Sequence, residues 1–215
     1  LERRQLPAGR AGLMGQASVL ASLAHPETTS PTHRGLAYYQ TMLCRPVPSP
    51  PPGAADLARL KLFNPDDPKA TQRQHFEFAQ RNAPECTNCH GEFIPMGLSL
   101  ERFDAVGAWR DTEHGRPIDP SVTIEGFGDA DGSYADGIAL ARGIAESETG
   151  RACFVVQLGT FVQGHELDPE VAACELEHIT QRWHEGGGGK LRELLVELAA
   201  SNTFTAGPAS ATTSS

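Results

Sequence analysis

The sequence lacks any long hydrophobic run. Although 39% of its 215 residues are hydrophobic, no apolar stretch approaches the roughly 20 residues that a membrane-spanning helix needs, which argues against a transmembrane segment. It also lacks an excess of positive charge: 18 Lys and Arg stand against 27 Asp and Glu, for a formal net charge of −9. That sign argues against nucleic acid as a partner and favours a partner with a basic face.

Cysteine is scarce, and only one pair is closely spaced. Cys86 and Cys89 are followed directly by His90, so the segment 86–90 has the sequence CTNCH. C-x-x-C-H is the attachment signature of haem c, in which two thiolates add to the vinyl groups and the histidine binds iron from the proximal side. The sequence therefore predicts one covalent haem c, held by Cys86, Cys89 and His90.

Other uses of a C-x-x-C pair fit this sequence less well. A tetrahedral zinc site needs a second pair of ligands at similar spacing, and the other three cysteines stand alone. A thioredoxin-like site follows a strand, whereas the residues before Cys86 have a helical pattern. An exposed dithiol remains the alternative to haem.

Methionine is also scarce, which narrows the choice of a distal iron ligand. Met14 and Met42 lie among apolar residues of predicted helices, where a core role is expected, while Met96 follows a proline close to the motif and is the candidate distal ligand. His165 and His178, on predicted helices, are further candidates, and an iron with an open position is the remaining alternative. No catalytic residue is assigned. We expect the other histidines to be solvated: His25, His33, His75, His114 and His184.

Three cysteines remain once two are assigned to haem. Cys153 and Cys174 lie on successive predicted helices joined by a turn at Gly164, so antiparallel packing predicts a disulfide between them. Such a bridge, closing a loop of about 20 residues, stabilises by roughly 3 kcal/mol. Two buried thiols are the alternative, and Cys44 is expected to stay free or to pair outside this sequence.

The pattern along the chain predicts a mainly α fold. Ser30-Pro31 and Asp168-Pro169 combine a capping side chain with a proline at the first helical position, and a third helix is expected to begin near Thr71. A short hairpin is expected around His114-Gly115, and the Gly- and Asp-rich segment 126–136 is expected to be a turn, since it lacks the spaced ligands of an EF-hand.

These signals divide the chain into five segments. They are an N-terminal helical segment (1–45), a Pro-rich connector (46–68), a haem-binding region (69–125), a C-terminal helical bundle (126–204) and a loose tail (205–215). In the C-terminal helices the apolar residues recur at helical spacing and predict three buried faces. Those faces are Phe154, Leu158, Phe161 and Val162; Val171, Ile179 and Trp183; and Leu191, Leu194, Leu195 and Leu198.

The chain resembles the C-terminal part of planctomycete-type cytochrome c proteins, which are secreted proteins built from several domains of uncharacterised function. The resemblance rests on the stretch 10–52, on CTNCH, on IPMGLSLERFDAVGAWRD, on FVVQLGTFVQGHELD and on LRELLVELAASNTF. The Asp-Pro-apolar-Gly step usual in those relatives is Ile94-Pro95-Met96-Gly97 here. By similarity to compact cytochromes c, the second ring nitrogen of His90 is expected to donate to the carbonyl of Pro95.

Haem attached to C-x-x-C-H implies a bacterial periplasmic or extracellular protein. The chain begins Leu1-Glu2-Arg3-Arg4, without an initiator Met or a leader, so we expect a mature or truncated chain. Electron transfer with a redox partner protein is the leading hypothesis, within a larger membrane-associated or extracellular assembly. The alternatives are a haem enzyme of peroxidase type with an open distal site, and a structural subunit in which haem staples the fold.

Overall fold

The computed structural model describes residues 9–47, 49, 63–84, 90–164, 169–187 and 189–202. The fold is mainly α, as the sequence predicts, with a few short strands. The chain divides into two compact units, residues 1–149 and 150–215. No helix in the described ranges is long and apolar enough to cross a membrane. Most of the Pro-rich run, Cys86, Cys89 and the predicted tail lie outside the described residues.

The first unit contains five α-helices and four short strands among its described residues. The helices are α1 (Ala17–Ser22), α2 (Pro31–Leu36), α3 (Gln72–Asn82), α4 (Ile94–Leu98) and α5 (Gly137–Glu146). The strands are β1 (Thr112–Glu113), β2 (Arg116–Pro117), β3 (Val122–Ile124) and β4 (Gly132–Tyr134), which form two antiparallel pairs, β1 with β2 and β3 with β4. The predicted hairpin at His114-Gly115 is the β1-β2 pair, and is confirmed.

Capping side chains explain where these helices begin. Ser30 Oγ accepts from the His33 amide at 3.3 Å, with Pro31 at the first helical position. At the start of α3, Thr71 and Gln74 form a reciprocal capping box. Asp136 accepts from the first amides of α5. Two of these helix starts, at Ser30-Pro31 and at Thr71, are predicted from the sequence because the capping residue is adjacent to the helix that it begins.

Helices α2 and α4 cross at two glycines. A Cβ placed on Gly97 would lie 1.8 Å from the Pro31 carbonyl oxygen, and one on Gly35 would lie 2.0 Å from the Phe93 carbonyl oxygen. Only glycine permits this approach of two backbones. The crossing joins α4, which follows His90, to α2, which lies more than 50 residues earlier in the chain.

Two hydrophobic clusters fill the first unit. The smaller one, formed by Phe76, Phe93, Ile94 and Leu98, joins α3 to α4 and to the segment before it. The larger one includes the predicted core residue Met14, with Met42 packed at its edge. Its fully or nearly fully buried members are Met14, Leu20, Tyr38, Leu43, Met96, Leu100, Phe103, Val122, Ile124, Phe127, Ala130, Leu140 and Ile144.

The second unit is helical throughout its described residues. It contains α6 (Glu148–Gln163, of which the first two residues belong to the first unit), α7 (Pro169–Gly187) and α8 (Leu191–Ala199). Its core is Val155, Leu176, Ile179, Trp183, Leu194 and Leu198. The predicted faces of α7 and α8 hold for Ile179, Trp183, Leu194 and Leu198. The prediction is wrong for Leu191 and Leu195, which are exposed, and Val171 lies outside the side chains that the structure describes.

The predicted buried face of α6 is wrong for Phe154 and Phe161, while Leu158 packs against the core of the unit. Phe161 is 82% exposed and Phe154 is 44% exposed, whereas Cys153 and Val155 are buried. Apolar residues occur on every side of this helix, so their spacing in the sequence does not single out the buried face.

Candidate functional site

His90 is the one residue of the C-x-x-C-H motif that the structure describes. It follows α3 and precedes α4, and its ring is half-buried, with its centroid 5.2 Å from that of Phe93. Burial lowers the pKa of His90 below its ordinary value. The imidazole is therefore neutral near pH 7, the state in which a ring nitrogen can bind a metal ion.

The two nitrogens of this ring have unequal surroundings. Nδ1 is buried and has no hydrogen-bond partner among the described residues. The expected bond from His90 to the Pro95 carbonyl is therefore wrong for this structure. The Pro95 oxygen accepts instead from the Ser99 amide at 3.2 Å, because Pro95 lies in the first turn of α4.

The chemistry of the His90 side chain fits a haem iron ligand. A neutral histidine directly after two cysteines is the donor set that haem c requires. The residues present fit this group: the motif and the local environment of His90 agree.

The aromatic rings near His90 contact one another in sequence, from His90 to Phe93, Tyr39 and Phe127. Phe93 contacts the His90 ring on one side, and Tyr39 meets Phe93 edge-on at 6.0 Å. Tyr39 also meets Phe127 edge-on at 5.8 Å, and the Arg45 guanidinium lies 5.5 Å from the Phe127 ring centroid. Nothing in the spacing of these residues along the sequence indicates that they meet.

Met96, the predicted distal ligand, is packed in the core. Its side chain is fully buried in the larger hydrophobic cluster, together with Leu20, Tyr38 and Leu100. To reach an iron bound by His90, it would have to leave that cluster. The packing therefore argues against Met96 as a ligand, although its role toward iron stays a prediction.

The other distal candidates differ in what the structure shows. His178 lies exposed on α7, and His165 lies outside the described residues. No group of three or more His, Cys, Asp or Glu side chains that could hold a metal ion occurs in the described part of the chain, which does not include Cys86 and Cys89.

His75 is buried, so its expected solvation is wrong. It is 6% exposed, stacks on Phe63 with centroids 4.5 Å apart, and its Nδ1 accepts from the Asn64 amide at 3.0 Å. Burial lowers the pKa of His75. The expected solvation holds for the other four histidines of that set, which are exposed.

The predicted Cys153–Cys174 disulfide is wrong. Cys174 is a free, exposed cysteine, while Cys153 and Cys44 are each disulfide-bonded. The pairing fails because Cys174 lies on the exposed side of α7. The buried residues of this helix are Leu176, Ile179 and Trp183, and Cys174 lies about 200° around the helix axis from Leu176.

A buried polar network holds the segment after α4, and no local pattern in the sequence predicts it. Arg34 is fully buried and donates to Glu101 at 3.1 Å, and Thr29 and Arg110 also donate to that carboxylate, at 2.6 and 2.9 Å. Arg34 donates further to the backbone carbonyls of Leu100, Phe103 and Asp104. Burial raises the pKa of Glu101 to about 7, against the opposing effect of Arg34.

This combination of a C-x-x-C-H histidine, an α2-α4 crossing and a buried Arg34–Glu101 pair lies within one matched stretch. Residues 10–113 match the family model PSCyt3, protein of unknown function (DUF1588). PSCyt3 is the planctomycete cytochrome c-type domain family, so the resemblance seen in the sequence holds for this stretch. No curated protein and no solved structure matches the chain.

The stretch that matches PSCyt3 lies within the first unit. It spans just under half of the chain and includes α1 to α4, the haem motif and both partners of the buried ion pair. Helix α5 and the whole second unit lie beyond it.

Proposed function

We propose that the protein is a monohaem c-type cytochrome that transfers electrons. In this proposal Cys86 and Cys89 form the thioether links and His90 is the proximal iron ligand. The observation that carries it is the half-buried, neutral His90 directly after the two cysteines of the motif. The match to PSCyt3 over residues 10–113 supports it.

The chain's own contribution is to hold and orient the iron-binding ring. A bound haem supplies a one-electron couple between ferric and ferrous iron. Phe93 packs beside the His90 ring, and α4 is fixed against α2 by the glycine crossing, so the segment after the motif has little freedom to move. Such rigidity suits an electron carrier, since a ligand that keeps its position needs little rearrangement when the charge on iron changes.

We further propose that it works outside the cytoplasm with a basic partner. Haem attached to C-x-x-C-H implies a periplasmic or extracellular location, and the net charge of −9 favours a redox partner with a positive docking face. Relatives with several domains suggest a subunit or domain of a larger assembly.

A difference spectrum with ligand challenge tests this function against its alternatives. The purified protein is reduced with dithionite, reoxidised, and then exposed to carbon monoxide and to cyanide. An electron carrier with two axial ligands gives a reversible c-type spectrum that neither ligand changes. Rapid binding of either ligand would show an open distal site and favour the peroxidase-type enzyme, and a haem without a redox response would favour the structural staple.

A further inference from the structure

Tyr39 lies on an unusual turn of helix. Residues Ala37–Met42 continue α2 as a π-helix, and the Leu43 amide donates to the Tyr38 carbonyl at 3.0 Å, which is an i→i+5 bond. A π-turn inserts one extra residue into a helix and changes the direction of the side chains after it; such turns are frequent at functional sites. In this protein it coincides with the residue that reaches the His90 segment.

Tyr39 contacts that segment in two ways. Its hydroxyl donates to the Glu92 carboxylate, which is 53 residues away in sequence and two residues after His90. Its ring meets Phe93 edge-on at 6.0 Å, and Phe93 is the aromatic neighbour of the His90 ring at 5.2 Å. Tyr39 therefore contacts the side chains of Glu92 and Phe93, two of the three residues between His90 and α4.

The His90 ring needs such support because the usual fixing hydrogen bond is missing. A metal-binding histidine ordinarily donates its second ring nitrogen to a carboxylate or carbonyl, which fixes the ring's orientation. In this structure Nδ1 of His90 has no partner among the described residues, and the Pro95 carbonyl is used by the Ser99 amide. Among the described contacts, packing against Phe93 therefore takes the place of that hydrogen bond in orienting the ring.

We infer that Tyr39 is a positioning residue for His90, acting through its hydrogen bond to Glu92 and its edge contact with Phe93. This inference rests on the proposed function, because it assigns Tyr39 to the orientation of an iron ligand. With haem bound, a change in the orientation of the His90 ring would alter the electronic environment of the iron, so a substitution at Tyr39 would shift the electron paramagnetic resonance g values and the midpoint potential.

Two substitutions at Tyr39 and one at its neighbour test the inference. Tyr39→Phe removes only the bond to Glu92, and Tyr39→Leu removes the ring contacts as well. Tyr38→Phe is the matched control, because Tyr38 is adjacent, and its hydroxyl donates to the Gly137 carbonyl at 2.5 Å within the core, away from His90. Thermal unfolding of each variant measures the loss of stability separately.

The measurements are the g values of the ferric protein and the midpoint potential. We expect Tyr39→Leu to broaden and shift the largest g value and to shift the potential, Tyr39→Phe to produce a smaller shift of the same kind, and Tyr38→Phe to leave both unchanged while lowering stability. Identical g values and potentials in wild type and Tyr39→Leu would overturn the inference and leave the haem function intact.

A wild-type chain without haem would instead overturn the proposed function. The role of Tyr39 is then decided on the haem-free protein from the imidazole NMR signals of His90, which lie in the ring-current field of Phe93. Tyr39→Leu must move those signals and Tyr38→Phe must not; unmoved signals would contradict the positioning role as well.

Discussion

Arg34 and Glu101 form an ion pair at 3.1 Å in which neither side chain is more than 3% exposed. They are 67 residues apart in sequence, and the pair ties α2 to the segment that follows α4. Since the guanidinium also donates to three backbone carbonyls, it fixes the course of the chain from Leu100 to Asp104.

Removing the carboxylate is expected to destabilise the first unit severely. Glu101→Ala leaves the buried Arg34 without its charged acceptor and takes acceptors from Thr29 and Arg110, which should lower the free energy of unfolding by about 3 kcal/mol or more. Asp119→Ala is the control, because Asp119 is 61% exposed and pairs with Arg73 at only 3.8 Å. That change should cost about 1 kcal/mol or less. Equal losses in urea unfolding would show that the buried pair has no special role.

The raised pKa of Glu101 predicts a pH dependence of stability. Its pKa is about 7 in the fold, against an ordinary value of 4.5 for an unfolded chain, so the folded state binds a proton more tightly between these values. The stability that this proton contributes is complete below about pH 4.5 and is lost as the pH rises through 7. Wild type should therefore lose stability relative to Glu101→Gln over this range. A constant difference between the two, measured by urea unfolding from pH 4 to 8, would contradict it.

Most local features of the fold were predictable, because their causes lie within a few residues. The helix starts at Ser30 and Thr71, the turn at His114 and the mainly α class depend on side chains next to the backbone they cap or bend. The C-x-x-C-H motif is likewise local, and it was sufficient to single out His90.

The long-range features were not predictable from one sequence. The Arg34–Glu101 pair, the contact of Tyr39 with Glu92 and the close approach of Gly97 to Pro31 join residues more than 50 positions apart. The error at Cys174 has the same origin. Its neighbours in sequence indicate a helix, but which face of that helix is buried depends on the packing of α7 against the rest of its unit.

The close approach of α2 and α4 predicts that position 97 does not tolerate any side chain larger than that of glycine. In Gly97→Ala the new Cβ would lie 1.8 Å from the Pro31 carbonyl oxygen and 2.7 Å from the Gly35 amide nitrogen, and neither backbone atom can rotate away. We expect a loss of about 3 kcal/mol or failure to fold. Gly132→Ala is the control, since its nearest atom is a Tyr134 ring carbon at 3.5 Å. Melting by circular dichroism should separate the two, and equal melting temperatures would show that the helices can move apart at little cost.

The state of the cysteines gives a further prediction. Without denaturant or reductant, a maleimide should label Cys174, which is free and exposed, and should not label Cys153, which is disulfide-bonded and 3% exposed. Peptide mapping by mass spectrometry identifies the labelled residue. Labelling of Cys153 under these conditions would contradict the structure, and protection of Cys174 would restore the pairing expected from the sequence.

Covalent attachment of haem is the claim on which the functional account depends. The most direct measurement is the intact mass of the exported protein after denaturation and reduction, followed by digestion to the peptide that contains residues 86–90. We expect one haem to stay bound to that peptide. We expect no haem on the peptide when Cys86 and Cys89 are both replaced by Ala. A wild-type polypeptide with the mass of the bare chain would contradict the account.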